Sequence, residues 1–397
     1  MTIQREISEH LKKLATQFPV IAIMGPRQSG KTTLSKITFP DYAYVSLEEL
    51  DQRLKAKDDP RGFLAAYSHR RGVIIDEVQE VPELLSYMQG IVDQSYRPGF
   101  FILTGSQHFL MYEKITQTLA GRIELLTLLP LSVTELQSAD LLPPTIDDVL
   151  IKGFYPRPYV QPIDIQSWCS NYVSTYVEKD VRQVLKITDV LTFQRFLKLC
   201  AARVSNLVNF AELARDCDIS PHTAKEWISV LETSFIVKLL APYHKNYSKR
   251  VIKSPKLYFY DTSLVCSLLG IKTAEELALH PIKGALFESF VISEIFKYSY
   301  NHNAQPQIYF WRDTQGHEID CMIEKSFGNV VPVEIKSGMT IKDDFVKGLN
   351  DWKEMTDQSD LPAYVVYGRD DAVSTFKKTN IVGWSSIAQM LQQIYMR

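Results

Sequence analysis

The stretch FPVIAIMGPRQSGKTTLSKI, Phe18 to Ile37, runs from an apolar, β-rich segment through a glycine-containing loop into a helical pattern. Gly25 and Gly30 frame the spacing G-x-x-x-x-G-K-T. Small residues at these positions let backbone N–H groups approach phosphates, and the helix that begins near Lys31 directs its positive end toward them. The pattern predicts a phosphate-binding loop within an α/β fold.

The same motif predicts roles for single residues. Lys31 is expected to reach the outer phosphates of a nucleotide, and the Thr32 hydroxyl is expected to hold Mg²⁺. ATP and Mg²⁺ are therefore the expected cofactors. The predicted nucleotide contacts in the loop are Gly25, Pro26, Arg27, Gln28, Ser29, Gly30, Lys31, Thr32 and Thr33.

Two later apolar segments end in polar residues. RGVIIDEVQ reads as a strand that ends at Asp76 and Glu77. Asp76 is expected to join Thr32 in the Mg²⁺ shell, and Glu77 to activate the attacking water as a general base. GFFILTGSQ reads as a second buried strand that ends at Thr104 and Ser106, which are candidate sensors of the nucleotide or, alternatively, caps of a turn.

Arg122 lies in the otherwise apolar stretch LAGRI. An arginine here could stabilise charge on the γ-phosphate in the transition state, in its own subunit or in a neighbour, or it could form a structural ion pair. The sequence leaves these alternatives open.

Together these segments carry a family resemblance. SLEE, DDPRGFL, IIDEVQEVPELL, LTGSQ, LAGRI and LLPLSVTEL occur in this order. The set resembles the prokaryotic AAA-type ATPases that carry a C-terminal nuclease-like domain of unknown function. The resemblance implies an AAA-like core with a parallel sheet, and it makes assembly into a homo-oligomer an expectation.

Composition narrows the class of protein further. The 397 residues, 45% of them apolar, suit two or three globular domains. A formal net charge of -2 excludes a uniformly basic nucleic-acid coat, so any basic surface is local. The five cysteines have no C-x-x-C spacing, and no apolar run approaches the roughly 20 residues of a membrane span. We expect a cytoplasmic protein without a membrane partner.

The middle of the chain predicts a helix-turn-helix. NFAELARDCDISPHTAKEWISVL places a turn at Asp218 to Ser220 and starts a second helix with Ser220 as N-cap. Its predicted buried face holds Ala224, Trp227, Ile228 and Leu231, whereas the outward face, with His222, Lys225 and Ser229, could enter a DNA groove.

A basic segment follows this second helix. YHKNYSKRVIKSPK carries Lys245, Lys249, Arg250, Lys253 and Lys256 without an acidic residue. It is expected to form the wing of a winged helix and to contact DNA phosphates; the alternative is a solvated loop on a domain that packs against protein.

The C-terminal quarter contains an ordered set of charged residues in apolar surroundings. Glu288 lies in the amphipathic helix of KGALFESFVISEIFKY, Asp320 in EIDCMI, and Glu334 and Lys336 in VPVEIKS. This order resembles the restriction-endonuclease-like fold, and especially archaeal Holliday-junction resolvases.

The spacing has a chemical explanation. Side chains alternate across a strand, so Glu334 and Lys336 project from one face. Asp320 and Glu334 could hold a hard cation such as Mg²⁺, with Glu288 supporting the metal or its water. Lys336 could orient the attacking water or stabilise the pentacovalent phosphate. The alternative is a binding platform that does not cut.

The sequence therefore predicts an AAA-like P-loop ATPase core followed by a winged-helix domain and an α/β restriction-endonuclease-like domain that act on DNA, which could be branched. The alternative is an ATP-switched regulatory or scaffold protein. The expected divisions are 1–135 for the ATPase core, 136–190 for a helical lid or connector, 191–270 for the winged helix and 271–397 for the nuclease-like domain.

Overall fold

The computed structural model describes residues 2–105, 117–177, 190–244, 254–358 and 360–396. The chain forms two compact units. The first comprises Met1–Leu131 with the short segments Thr233–Phe235 and Tyr300–Ala304, and the second comprises Ser132–Glu232, Ile236–Ser299 and Gln305–Arg397. The finer division into four domains stays a prediction.

A five-stranded parallel sheet forms the centre of the first unit, counted over its described residues. Its spatial order is β2-β3-β4-β1-β5, and each neighbouring pair is parallel. The predicted α/β class is confirmed. The strands are β1 (Val20–Met24), β2 (Ala43–Ser46), β3 (Val73–Asp76), β4 (Phe101–Gly105) and β5 (Ile123–Thr127).

The sheet is covered on both faces, which explains why its strands read as continuous apolar runs. Every residue of β1, β3 and β4 is buried, whereas β2 and β5 at the edges are partly exposed. One apolar cluster adjoins each face. The α-helices whose two ends both lie in the described part of this unit are α1 (Ser8–Leu14), α2 (Lys31–Thr38), α3 (Leu50–Asp58), α4 (Pro60–Ala65) and α5 (Leu84–Gln94).

The N-terminal helix is shorter than the sequence predicts. The stretch MTIQREISEHLKKL reads as one charged amphipathic helix that ends at Leu14, but α1 begins at Ser8. Arg5 precedes it and is buried, and its guanidinium donates to the carbonyls of Ser29 and Leu129, each at 2.7 Å. These contacts hold Arg5 against the phosphate-binding loop, outside the helix that begins at Ser8.

The second unit begins with helices. The Pro-rich segment GFYPRPYVQP, which the sequence predicts as a break between helices, contains the short helix α8 between two longer helices. The helices are α6 (Val133–Ser138), α7 (Ile146–Lys152), α8 (Arg157–Val160), α9 (Ile165–Tyr172), α10 (Val190–Ala202), α11 (Phe210–Asp216), α12 (Pro221–Thr233), α13 (Thr262–Leu269), α14 (Ala274–Leu279), α15 (Lys283–Asn301), α16 (Asp344–Thr356) and α17 (Ile387–Met396).

Two sheets complete the described part of the second unit. An antiparallel pair joins β6 (Val237–Leu240) to β7 (Lys256–Phe259). A mixed sheet has the order β12-β13-β11-β10-β9-β8; β8, β9 and β10 are antiparallel, and β10, β11 and β13 run parallel. Its strands are β8 (Ile308–Arg312), β9 (Glu318–Ser326), β10 (Asn329–Lys336), β11 (Tyr364–Tyr367), β12 (Ser374–Phe376) and β13 (Thr379–Gly383).

Across the residues that the structure describes, none of the helices combines the length and the apolar character that crossing a membrane requires.

Candidate functional site

The phosphate-binding loop lies between β1 and α2, where two glycines meet geometric demands. A Cβ on Gly25 would lie 2.1 Å from the carbonyl oxygen of Leu128. Gly30 has φ +97° and caps α2, a conformation that L side chains rarely adopt. The two glycines therefore allow the loop to lie close to β5 and to present the N-terminus of α2.

Polar groups of the loop fit a phosphate ligand. The ammonium of Lys31 is buried and donates to the carbonyls of Gly25 at 3.0 Å and Pro26 at 2.7 Å. The hydroxyl of Ser29 is buried and has no hydrogen-bond partner among the described residues. An orphaned buried hydroxyl is costly, and a phosphate oxygen would satisfy it.

The carboxylate of Asp76 accepts hydrogen bonds from three hydroxyl groups. Thr32 donates to its two oxygens at 3.1 and 2.9 Å, Tyr44 donates at 2.9 Å, and Thr104 donates to Oδ1. The structure thus brings together Thr32 and Asp76, the two residues predicted to hold Mg²⁺. Their oxygens are the ligands that Mg²⁺ prefers, so the pair fits the ion.

Tyr44 was not anticipated from the sequence. It lies on β2, the strand next to β3, and the ammonium of Lys36 lies 3.4 Å from its ring centroid. No local motif marks it, because the contact with Asp76 depends on the order of the strands.

Glu77 adopts φ +55° immediately after β3, which an L residue rarely does without a constraint. Burial raises the pKa of its carboxyl, while the nearby charges of Lys31 and Arg27 and a hydrogen bond from the Gln79 amide oppose that rise. A carboxyl whose pKa is raised toward neutrality is better suited to accept a proton from water.

The sequence also gives Arg122 and Ser106 as candidates for a role at the nucleotide. Arg122 pairs with Asp93 through two contacts, Nε to Oδ1 at 2.5 Å and Nη2 to Oδ2 at 3.1 Å. This geometry favours the structural ion pair, and a role at the nucleotide stays a prediction. Ser106 lies outside the described residues.

In the second unit, β9 and β10 bring together three of the four charged residues of the predicted nuclease-like set. The Lys336 ammonium lies 2.6 Å from Oε1 of Glu334, and the backbone N–H of Ile335 donates to Asp320 at 2.8 Å. Lys336 and Glu334 thus share one face of β10, as the alternation of strand side chains predicts.

The negative charges of Asp320 and Glu334 are only partly balanced by positive charges and hydrogen-bond donors around them. Burial, followed by the charge of Asp320, raises the pKa of Glu334 to about 8. Burial likewise raises the pKa of Asp320. Oε2 of Glu334 is buried without a hydrogen-bond partner in the described chain. A hard cation would satisfy that oxygen, so the Asp320–Glu334 pair fits a divalent metal.

Glu288 has a different environment. Lys256 lies 3.0 Å from its Oε1, and the hydroxyl of Tyr258 donates to the same oxygen at 2.6 Å. Lys256 also contacts Glu318. Burial and the charge of Asp320 raise the pKa of Glu288 to about 7.

These contacts correct one expectation. Lys256, assigned to the basic wing, is buried on β7 and pairs with carboxylates rather than facing a phosphate. Within the described residues, no group of three or more His, Cys, Asp or Glu side chains is arranged to hold a metal. The expected role of Glu288 in supporting the metal or its water stays a prediction.

The alternation of Lys256 and Tyr258 in KLYF could have signalled a shared partner, because residues two apart lie on one face of a strand. The sequence does not show which residue that partner is. Glu318 was missed for the same reason, since its contact with Lys256 spans 62 positions by their numbering.

The helix-turn-helix region follows the predicted pattern. The Ser220 hydroxyl accepts from the backbone of Thr223 at 3.0 Å, as an N-cap does. Ala224, Trp227, Ile228 and Leu231 are buried, whereas His222, Lys225 and Ser229 are exposed. Lys245, Lys249, Arg250 and Lys253 lie outside the described residues.

Comparison with known proteins gives the class. Residues 17–137 match the family model described as an AAA domain. Residues 144–275 and 283–387 match two domains of unknown function, DUF8612 and DUF4143. Together with the phosphate-binding loop and the parallel sheet, the first of these matches identifies the N-terminal part of the chain as an AAA-type P-loop domain.

The family follows from two relatives. The uncharacterized proteins Rv2008c of Mycobacterium tuberculosis and Mb2031c of Mycobacterium bovis are each 31% identical over 343 residues, which cover 85% of this chain and 74% of theirs. The chain belongs to their family. The Walker-type ATPase paby2304 of Pyrococcus abyssi is a distant structural likeness, with 16% identity, 67% of this chain and 96% of that chain covered, and a TM-score of 0.41.

Proposed function

We propose that this protein hydrolyses ATP in its first unit and binds DNA, which it remodels or cleaves, with its second unit. The observation that carries the second half of the proposal is the buried, unpaired Oε2 of Glu334 beside Asp320 and Lys336. A chain that only needed a stable core would have little reason to bury a carboxylate pair with one lysine.

The ATPase half uses the residues around Asp76. Lys31 and the loop backbone would bind the phosphates, and Thr32 and Asp76 would hold Mg²⁺. Glu77 accepts the proton of the attacking water while the bond between the γ-phosphorus and the β–γ bridging oxygen breaks. Thr104, which donates to Asp76, positions that carboxylate.

The nuclease-like half uses the ends of β9 and β10. Asp320 and Glu334 would hold a divalent cation, which when bound supplies Lewis-acid stabilisation of the phosphodiester oxygens. Lys336 orients the attacking water or stabilises negative charge on the phosphate. The antiparallel run from β8 to β10, followed by helix α16 and the parallel strand β11, supports the restriction-endonuclease-like assignment.

DNA contact is assigned to the exposed face of α12 and to the basic segment that follows β6. His222, Lys225 and Ser229 are available on that helix. A helix of this kind that is followed in the sequence by a basic segment is typical of proteins that contact the DNA groove with the helix and the phosphates with the basic residues. Assembly into a homo-oligomer belongs to the same proposal.

The test combines two assays on the full chain. ATP hydrolysis is measured with and without single-stranded, duplex and four-way DNA, and the DNA is then analysed on gels after incubation with Mg²⁺ or Mn²⁺. We expect DNA to stimulate hydrolysis and Asp320→Asn to abolish any cleavage. Cleavage that persists in Asp320→Asn would contradict the site.

A second candidate is an ATP-switched regulatory or scaffold protein whose C-terminal domain does not cut. The ion pair between Lys256 and Glu288 favours it, because it engages one of the carboxylates expected at the metal. Slow hydrolysis that DNA does not change, together with intact DNA and no metal binding, would support this candidate.

A further inference from the structure

The carboxylates around Asp320 have a cation supplied by a strand of the separate β6–β7 pair. Lys256, from β7, lies 3.0 Å from Oε1 of Glu288 and also contacts Glu318. Its side chain is 4% exposed. Lysine is almost never buried this fully unless it is paired, so the ion pairs of Lys256 fix the position of its ammonium in the second unit.

The backbone fixes where Lys256 lies. β7 pairs with β6 in an antiparallel register that sets Lys256 opposite Leu240. Tyr258, two residues later on the same strand, donates to the same oxygen of Glu288 at 2.6 Å. Two donors on one strand therefore serve one carboxylate oxygen, which a loosely placed surface lysine could not achieve.

The other end of the carboxylate group differs. Glu334 receives the Lys336 ammonium on Oε1, but its Oε2 is buried without a partner among the described residues. The group is thus asymmetric: one side has an internal cation and a hydroxyl donor, and the other side has an unsatisfied oxygen beside Asp320.

We propose that Lys256 is a built-in cation on the Glu288 side of this group, and that the site consequently takes a single divalent metal, at Asp320 and Glu334. Lys256 is a positioning residue that holds Glu288 and Glu318 in place. Its ammonium occupies the position in which a second metal ion could otherwise bind these two carboxylates. This inference rests on the proposed metal site.

A lysine that takes the place of a metal ion differs from an ordinary structural ion pair in how the protein responds to its removal. If Lys256 stands in for a metal, its removal leaves two carboxylates whose oxygens suit a hard cation, and an added metal can take its place. If the pair is only structural, the loss of Lys256 destabilises the protein and metal does not reverse the loss.

The experiment uses the full chain without nucleotide and Mn²⁺ as the probe. Bound Mn²⁺ is counted by calorimetry and by electron paramagnetic resonance, and the melting temperature is followed as a function of Mn²⁺. The variants are Lys256→Met, which removes the charge but keeps much of the apolar stem, and Lys256→Arg, which keeps the charge.

We expect the parent and Lys256→Arg to bind one Mn²⁺ per chain in the second unit and Lys256→Met to bind one more. The melting temperature of Lys256→Met should be lower than that of the parent in chelator and should recover with Mn²⁺. Equal Mn²⁺ numbers in Lys256→Met and the parent, with no extra recovery, would overturn the inference, as would two Mn²⁺ in this unit of the parent.

A second pair of variants serves as a control in case Lys256→Met folds poorly. It also separates the proposed role of Lys256 from the proposed metal site at Asp320 and Glu334. Lys256→Met combined with Glu288→Gln leaves a neutral pair, so it should fold and lose the additional Mn²⁺. Asp320→Asn removes the parent's own Mn²⁺. A parent that binds none while Lys256→Met binds one would contradict the proposed metal at Asp320 and Glu334 but support the role of Lys256.

Discussion

The hydroxyl of Tyr44 donates to Oδ2 of Asp76 at 2.9 Å, the oxygen to which Thr32 also donates at 2.9 Å. Tyr44→Phe removes this donor and keeps the ring. Because one hydrogen bond contributes about 0.5–1.5 kcal/mol net, ATP hydrolysis should fall by a few-fold. The Mg²⁺ concentration that gives half-maximal hydrolysis should rise, since Asp76 loses a group that orients it.

Tyr42→Phe is the matched control. Tyr42 stacks on Phe39 in the same unit, and its hydroxyl makes no hydrogen bond to Asp76. This variant should retain the Mg²⁺ dependence of the parent. The same Mg²⁺ dependence in Tyr44→Phe and the parent would show that Tyr44 does not position Asp76.

Lys31 and Glu77 separate binding from hydrolysis. Lys31→Ala should weaken the binding of a fluorescent ATP analogue, whereas Glu77→Gln should bind it normally and release phosphate at least about a hundredfold more slowly, since it lacks the base. Because burial raises the pKa of Glu77, hydrolysis by the parent should decline on acidification at a higher pH than an ordinary glutamate would give. Normal turnover in both variants would contradict the assignment.

The ion pair between Arg122 and Asp93 allows a test of whether Arg122 takes part in ATP hydrolysis or is only structural. Its members are partly exposed, so the pair should stabilise the fold by less than about 1 kcal/mol. We expect Arg122→Ala and Asp93→Ala to affect hydrolysis equally, and mixtures of Arg122→Ala with Glu77→Gln protein to show no recovery. Recovery in the mixture would instead place Arg122 at the nucleotide of a neighbouring subunit.

The sequence was sufficient wherever a local pattern carries the information. The apolar runs of β1, β3 and β4, each followed by a glycine or polar residue, predict the parallel sheet and the edge at which Gly25, Asp76 and Thr104 lie. The buried face of α12 follows from helical periodicity for a similar reason.

Contacts between distant segments could not be predicted in this way. Arg5 reaches the carbonyls of Ser29 and Leu129, and Lys256 reaches Glu288 and Glu318. No local pattern identifies the partners of either side chain, and Lys256 stands in a basic run that favours a solvent-exposed wing. Its backbone pairs with Leu240 of β6 and with Leu207, and these non-local pairings accompany its position in the interior.

DNA binding should depend on the exposed face of α12. Lys225→Ala removes a positive charge there without disturbing the buried face. Affinity should fall similarly for all DNA sequences, and the slope of log affinity against log salt concentration should flatten by about 0.9 for each phosphate that the protein no longer neutralises. Fluorescence anisotropy over a range of salt concentrations measures both quantities.

Lys198→Ala is the charge-matched control, since Lys198 is exposed on α10, outside the helix-turn-helix. It should bind DNA as the parent does. Replacement of Lys249, Arg250 and Lys253 by Ala should have a larger effect than Lys225→Ala. If Lys225→Ala and Lys198→Ala cannot be distinguished, α12 does not contact DNA.

Glu334 provides a pH test of the site in the second unit. The pKa of its carboxyl is about 8, against an ordinary value of 4.5, because it is buried and faces Asp320, with Glu288 adding to the rise and Lys336 opposing it. A carboxyl with a raised pKa in the folded chain takes up a proton on folding. Its stabilising contribution is therefore fully present below pH 4.5 and is lost as the pH rises through 8.

Glu334→Gln removes this titration while keeping the shape of the side chain. In a chelating buffer, the parent should lose stability relative to Glu334→Gln between pH 4.5 and 8, by at most about 1.4 kcal/mol per pH unit. Urea denaturation at several pH values across this window measures the difference. Glu354→Gln, which changes an exposed glutamate on α16, should follow the parent.

A divalent cation should reverse the loss at alkaline pH, because it binds the ionised carboxylates and stabilises the folded chain by mass action. Adding Mg²⁺ or Mn²⁺ should therefore restore the stability of the parent above pH 8 and should do much less for Asp320→Asn. The same loss of stability with pH in the parent and in Glu334→Gln would show that Glu334 is not the titrating group. Equal recovery in Asp320→Asn would place the cation elsewhere.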